Sequence, residues 1–97
     1  MSDIKSLTQL CNRIAREKGF WDEKRNVGEM LMLIVTELAE AMESYRLNDK
    51  ENFKEEIADT FIRLFDLSGG LNIDVEKEIM KKMKKNKKRP YKHGKRC

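Results

Sequence analysis

A chain of 97 residues, with 39% hydrophobic, 7% aromatic and 39% charged residues, provides for a single domain whose core buries a modest share of its surface. It shows no signal peptide and no apolar run able to span a bilayer, and its two cysteines and one histidine form neither a disulfide framework nor a zinc site at any usual spacing. The formal charge of +4 hides an asymmetry, because Lys81 to Arg96 carries ten Lys or Arg and no acid, leaving the preceding part net acidic.

Ser2 or Asp3 is placed to cap a first helix with apolar positions Ile4, Leu7, Leu10, Cys11 and Ile14, and Gly19 to stop it. A linker, GFWDEKR, sets Phe20 and Trp21 beside the next helix. Asn26 with Glu29 reads as a capping-box variant opening a second helix that runs to about Arg46. Asn48 or Asp49 starts a third, which Gly69 and Gly70 end. Asp74 caps a fourth, amphipathic through Val75, Ile79 and Met83, which dissolves into a basic tail over about 87–97. No strand pattern or internal repeat competes, so the expected fold is all-α, a four-helix bundle in one domain over 1–97. Apolar faces richer in Leu, Ile and Met than one small core needs predict completion by oligomerisation, as a homodimer or homotetramer. Free thiols at Cys11 and Cys97 fit a cytoplasmic protein.

The most informative feature is a set of carboxylates in two i, i+3 pairs: Glu37 and Glu40 in TELAE, Glu56 and Asp59 in EEIAD. On a helix each pair projects from one face, and an antiparallel hairpin would bring the two pairs together. In the second helix Val27, Leu31, Ile34, Leu38, Ala41 and Tyr45 recur at helical spacing. With Ile34 at the centre, Glu37 falls about 60° away, inside the apolar arc, and Glu40 about 120° away at its border. A buried carboxylate needs a cation, a strong hydrogen-bond network or a proton. On the third helix the apolar centre is near Phe61, and Glu56 and Asp59 lie roughly 140° and 160° from it, on a polar face shared with Arg63 and Asp66. Alone they read as solvated charges; their partnership with Glu37 makes them candidates.

Facing carboxylates are hard oxygen donors suited to Mg²⁺ or Mn²⁺. A di-iron site would characteristically add Glu-x-x-His, and neither helix contains His. A Mg²⁺ site with open positions for phosphate oxygens and water remains, in which one carboxylate could act as general base.

The succession Glu37-x-x-Glu40, a short gap, then Glu56-x-x-Asp59 resembles the signature of the all-α MazG-like nucleotide pyrophosphohydrolases. The similarity spans NVGEMLMLIVTELAEAMESYR, FKEEIADTFIRLFDL and NKKRPYKHGK. Lys82-x-x-x-Asn86-x-x-Arg89 resembles the family's phosphate-side element. The resemblance implies a MazG-like bundle that hydrolyses a nucleoside triphosphate, often a deoxynucleotide, between the α and β phosphates. The products would be a nucleoside monophosphate and pyrophosphate, with Mg²⁺ required. It implies that Glu37, Glu40, Glu56 and Asp59 are the metal and catalytic carboxylates, and that Lys82, Asn86 and Arg89 bind substrate. A single compact domain is the departure from longer members.

Smaller features stay open. Trp21 and Phe20 either stack on a nucleobase or plug the corner between two helices. Met30, Met32 and Met42 read as core or interface filler, and His93 as a solvent-facing tail residue. The competing functions are a non-catalytic helical module that binds nucleic acid or a protein partner through its basic tail, and a helical interaction protein that has lost catalysis. Nucleic-acid binding gives no reason to place Glu37 on an apolar face, and it would weaken steeply with salt. No membrane partner is expected.

Overall fold

Each helix begins where a side chain takes over an orphan backbone N–H. A computed structural model describes residues 3–95 and contains α1 (Ile4–Glu17), α2 (Val27–Arg46), α3 (Lys50–Gly70), α4 (Val75–Lys87) and a terminal 3-10 turn (Tyr91–Gly94). Asp3, Asn26, Asp49 and Asp74 accept from the N–H groups of Ser6, Glu29, Asn52 and Lys77 at 2.7, 3.0, 3.1 and 3.1 Å, each cap contributing about 1 kcal/mol. Ser2 and Cys97 lie outside the described residues. The described residues are all-helical apart from their connections, and none of their helices is long and apolar enough to cross a membrane.

Helix ends follow one device used three times. Gly19 closes α1 at φ +86°, with Gly19 N–H on Arg16 and Phe20 N–H on Ala15, the Schellman arrangement. Asn48 (φ 56°) does the same for α2 and Asn72 (φ 58°) for α3. α3 ends at Gly70, as the glycine pair predicts, but neither Gly69 nor Gly70 supplies the left-handed residue. Their task is close approach: a Cβ on Gly69 would press on Asn12 and the Thr8 carbonyl, and one on Gly70 would enter the Trp21 ring.

Antiparallel pairing follows from the short connections and shows in the contacts. Tyr45 meets Phe53, Ser44 Oγ accepts from Asn52 Nδ2, and Glu37 meets Arg63, so α2 and α3 run in opposite directions. On the other side Thr8 and Asn12 of α1 face Gly69 and Asp66 of α3. α3 is therefore central, and α4 packs on α1, where the Lys5 N–H donates to Glu76 at 3.3 Å.

The core between these helices is small. Met30, Ile34, Ala41 and Leu67 are its buried apolar residues, whereas Thr8, Glu37, Ser44, Glu56, Thr60 and Ser68 are equally buried. Thr8, Ser44 and Thr60 return their hydroxyls to the carbonyls four residues back, which satisfies them and keeps the helices close. The α2 seam is Met30, Ile34, Glu37, Ala41, Ser44, with Ile34 at its centre as expected.

α3 departs from expectation. Its buried stripe is Glu56, Thr60 and Leu67, whereas Phe61, read as the apolar centre, is 54% exposed. Glu56 is thus not on a polar outer face but in the seam against α2. Periodicity locates an apolar face without saying what covers it. One residue beyond each seam lies a second apolar line, with Leu31, Val35, Leu38, Met42 and Tyr45 exposed on α2 and Phe61 exposed on α3. In an antiparallel pair a one-residue step turns both helices toward the same side. The hairpin therefore carries one continuous apolar flank, and Glu40 and Asp59, one turn beyond Glu37 and Glu56, rotate toward the opposite flank.

Candidate functional site

The seam brings the carboxylates together because the two i, i+3 pairs sit at matching heights on antiparallel helices. Oxygens of Glu37, Glu56 and Asp59 lie within 4.8 Å of one another. Glu37 and Glu56 are each 8% exposed, while Asp59 and Glu40 are exposed at the border. Glu37 has found a cation within the chain: Arg63 Nε donates to its Oε1 at 3.0 Å.

Glu56 has no such partner. Its Oε2 is buried and accepts no hydrogen bond. Its pKa rises from the ordinary 4.5 to about 7, first through a carboxyl–carboxyl hydrogen bond with Glu40, then through burial, and then through the negative charges of Glu40, Glu37 and Asp59. A carboxylate oxygen without a donor, facing other carboxylates, is stabilised by a shared proton or by a cation. Oxygen-only donors and this orphaned oxygen fit a small hard divalent ion. Glu37, Glu56 and Asp59 would hold it, with Glu40 beside them.

A cavity of about 440 Å³ adjoins the cluster between α1, α2 and α3. Glu37, Asp59 and Arg63 form its carboxylate end, Cys11, Ile14 and Phe20 line its α1 side, and Lys18 and Arg25 add positive charge. The Cys11 thiol is pushed up by burial and by the charge of Asp66, so it remains a thiol rather than a nucleophilic thiolate.

Asp66 organises the floor. Its Oδ1 accepts from Trp21 Nε1 at 2.8 Å and from Asn12 Nδ2 at 3.0 Å, and its Oδ2 pairs with Arg25 Nη1 at 3.2 Å. Arg16 and Arg25 each lie 5.1 Å from the Trp21 ring centre, and Trp21 packs on the core of Met30, Ile34 and Leu67. Trp21 therefore plugs the corner between helices, and Phe20, 63% exposed, is the aromatic that lines the cavity. Arg63 and Asp66, which the sequence places on the polar face of the third helix, are not singled out there as site residues, and Arg25 is not flagged at all. Arg63 follows Asp59 by four residues and Glu56 by seven, a same-face spacing that could have flagged it.

Lys82, Asn86 and Arg89 do not line this cavity. Lys82 and Arg89 are exposed on α4 and just beyond it, Arg89 Nη1 lies 3.1 Å from His93 Nδ1, and Asn86 Oδ1 is buried without a partner. α4 packs on α1, so the structure does not bring these residues to the carboxylates of their own chain.

Comparison with protein-family models, curated proteins and solved structures finds no match to this chain.

Proposed function

We propose that the protein is a MazG-like, Mg²⁺-dependent nucleoside triphosphate pyrophosphohydrolase that converts a (d)NTP to the (d)NMP and pyrophosphate. The observation that carries the reading is the buried, unpartnered Glu56 Oε2 set among Glu37, Asp59 and Glu40. A scaffold gains nothing from four carboxylates held together, whereas a metal site requires them.

Mg²⁺ held there would neutralise phosphate charge and acidify a bound water. The chain's own groups do the rest. Lys18 and Arg25 draw the polyanion into the cavity, and Phe20 offers a face to a planar base. Glu40, outside the group formed by Glu37, Glu56 and Asp59, is the carboxylate left to accept the proton of the attacking water. Water oxygen bonds to the α-phosphorus, the bond to the bridging oxygen breaks, and its electron pair leaves with pyrophosphate.

The apolar flank supports assembly. Leu38, Met42, Tyr45 and Phe61 are between 49% and 69% exposed on one side of the hairpin, where a second copy would cover them and complete a bundle. Lys82, Asn86 and Arg89 would then serve substrate only by reaching a neighbouring copy's site.

A pyrophosphate-release screen over canonical and damaged nucleoside triphosphates, with Mg²⁺ and with EDTA, tests the activity. Release of pyrophosphate that requires metal is the expected result. No release from any triphosphate under either condition overturns the reading.

A further inference from the structure

Arg63 joins the carboxylate cluster to the cavity. Its Nε is committed to Glu37 at 3.0 Å, with the Arg63 side chain 39% exposed and that of Glu37 11% exposed. Arg63 also belongs to the cavity lining, shared with Lys18, Arg25 and Asp59. A guanidinium is a planar fork that binds carboxylate and phosphate oxygens by the same geometry. Glu37 cannot serve Arg63 and a divalent ion equally well. A cation on Glu37 withdraws the charge that holds Arg63 and repels the guanidinium at short range. The nearest anion-accepting space open to the released fork is the cavity.

We propose that Arg63 stands in for metal on Glu37 and, when a divalent ion takes Glu37, transfers its guanidinium to the phosphate oxygens of the ligand in the cavity. The proposal rests on the metal-dependent reading given above. It makes Arg63 a competitor of metal and a partner of anion, so its removal changes the two affinities in opposite directions. A side chain that merely braces α2 against α3 would weaken both together.

The test uses the full chain, its Arg63→Gln variant and its Arg63→Lys variant. Mg²⁺ alone is titrated by calorimetry, and inorganic pyrophosphate is titrated with Mg²⁺ in excess. Expected for Arg63→Gln is Mg²⁺ affinity a few-fold above that of the parent, with pyrophosphate affinity lower by about 10- to 100-fold, the range for a lost charge-assisted hydrogen bond. Arg63→Lys, which keeps the charge and loses the fork, should lie between. Equal pyrophosphate affinity in parent and Arg63→Gln overturns the proposal alone, as does a parallel loss of both affinities. A parent that binds no Mg²⁺ overturns the metal-dependent reading and this proposal with it.

Discussion

The indole N–H of Trp21 donates to Asp66 at 2.8 Å, tying the α1–α2 connection to a helix 45 residues further along the chain. The same carboxylate holds Asn12 of α1 and Arg25 at the cavity wall. One acidic side chain thus ties both α1 and the α1–α2 connection to α3, and the Trp21 ring fills the space that Gly70 leaves by having no Cβ.

Gly70→Ala should destabilise the fold by about 1–3 kcal/mol, because the added methyl overlaps the indole, which is held in place by its bond to Asp66 and its packing on the core. Trp21→Phe keeps a ring but removes the donor, and should cost about 1 kcal/mol, since Asp66 retains two other partners. Thermal melts of both variants check the ordering; a Gly70→Ala protein as stable as its parent would contradict the contact.

Glu37→Gln should lower Mg²⁺-dependent turnover by about 100-fold or more, the scale of losing several kcal/mol of charge stabilisation at a metal. Circular dichroism should show unchanged helix content, because the amide has nearly the shape of the carboxylate. The substitution also removes one of the charges that raise Glu56, so the pKa of Glu56 should fall toward its ordinary value. Parent-like turnover in Glu37→Gln would place the metal elsewhere.

The raised pKa of Glu56 sets a pH dependence opposite to that of an ordinary carboxylate. Its folded-state value of about 7 lies above the reference 4.5, so folding favours the protonated form. Its contribution to stability is complete below about pH 4.5 and is lost as pH rises through about 7. Metal reverses the preference, because Mg²⁺ displaces the shared proton, and Mg²⁺ affinity should climb over the same window. Melting temperatures against pH, with EDTA and with Mg²⁺, should show the EDTA curve falling where the Mg²⁺ curve holds. Glu56→Gln should flatten the difference; an unchanged pair of curves would remove Glu56 from the site.

Phe61→Glu places a charge in the middle of the apolar flank, where Phe61 is 54% exposed in the single chain. Burying that charge in a dimer interface would be strongly unfavourable. Light scattering should give an oligomer for the parent and a monomer for the variant, with helicity retained. A parent already monomeric at micromolar concentration would refute the assembly.

How much was legible depends on whether the signal was local. Caps at Asp3, Asn26, Asp49 and Asp74 are local, and all are formed. Glu37 was legible because its own helix shows it on the Ile34 side. Glu56 was misplaced because α3 bears two adjacent faces, and the more apolar one, at Phe61, turns outward. Gly69 and Gly70 do mark the end of α3, but their second task was hidden, because a glycine at a helix stop and a glycine at a close contact look alike in sequence; only Trp21 and Asn12 tell them apart. The Arg63–Glu37 and Arg25–Asp66 pairs span 26 and 41 residues, separations at which charge pattern carries no register.

Trp21 is the chain's one tryptophan, and the guanidiniums of Arg16 and Arg25 each lie 5.1 Å from its ring centre, Arg25 also lining the cavity. Indole emission responds to charges held near the ring. Any ligand that draws Arg25 away from the ring should therefore change the intrinsic fluorescence, so occupancy of the cavity can be followed optically, without a label and without turnover.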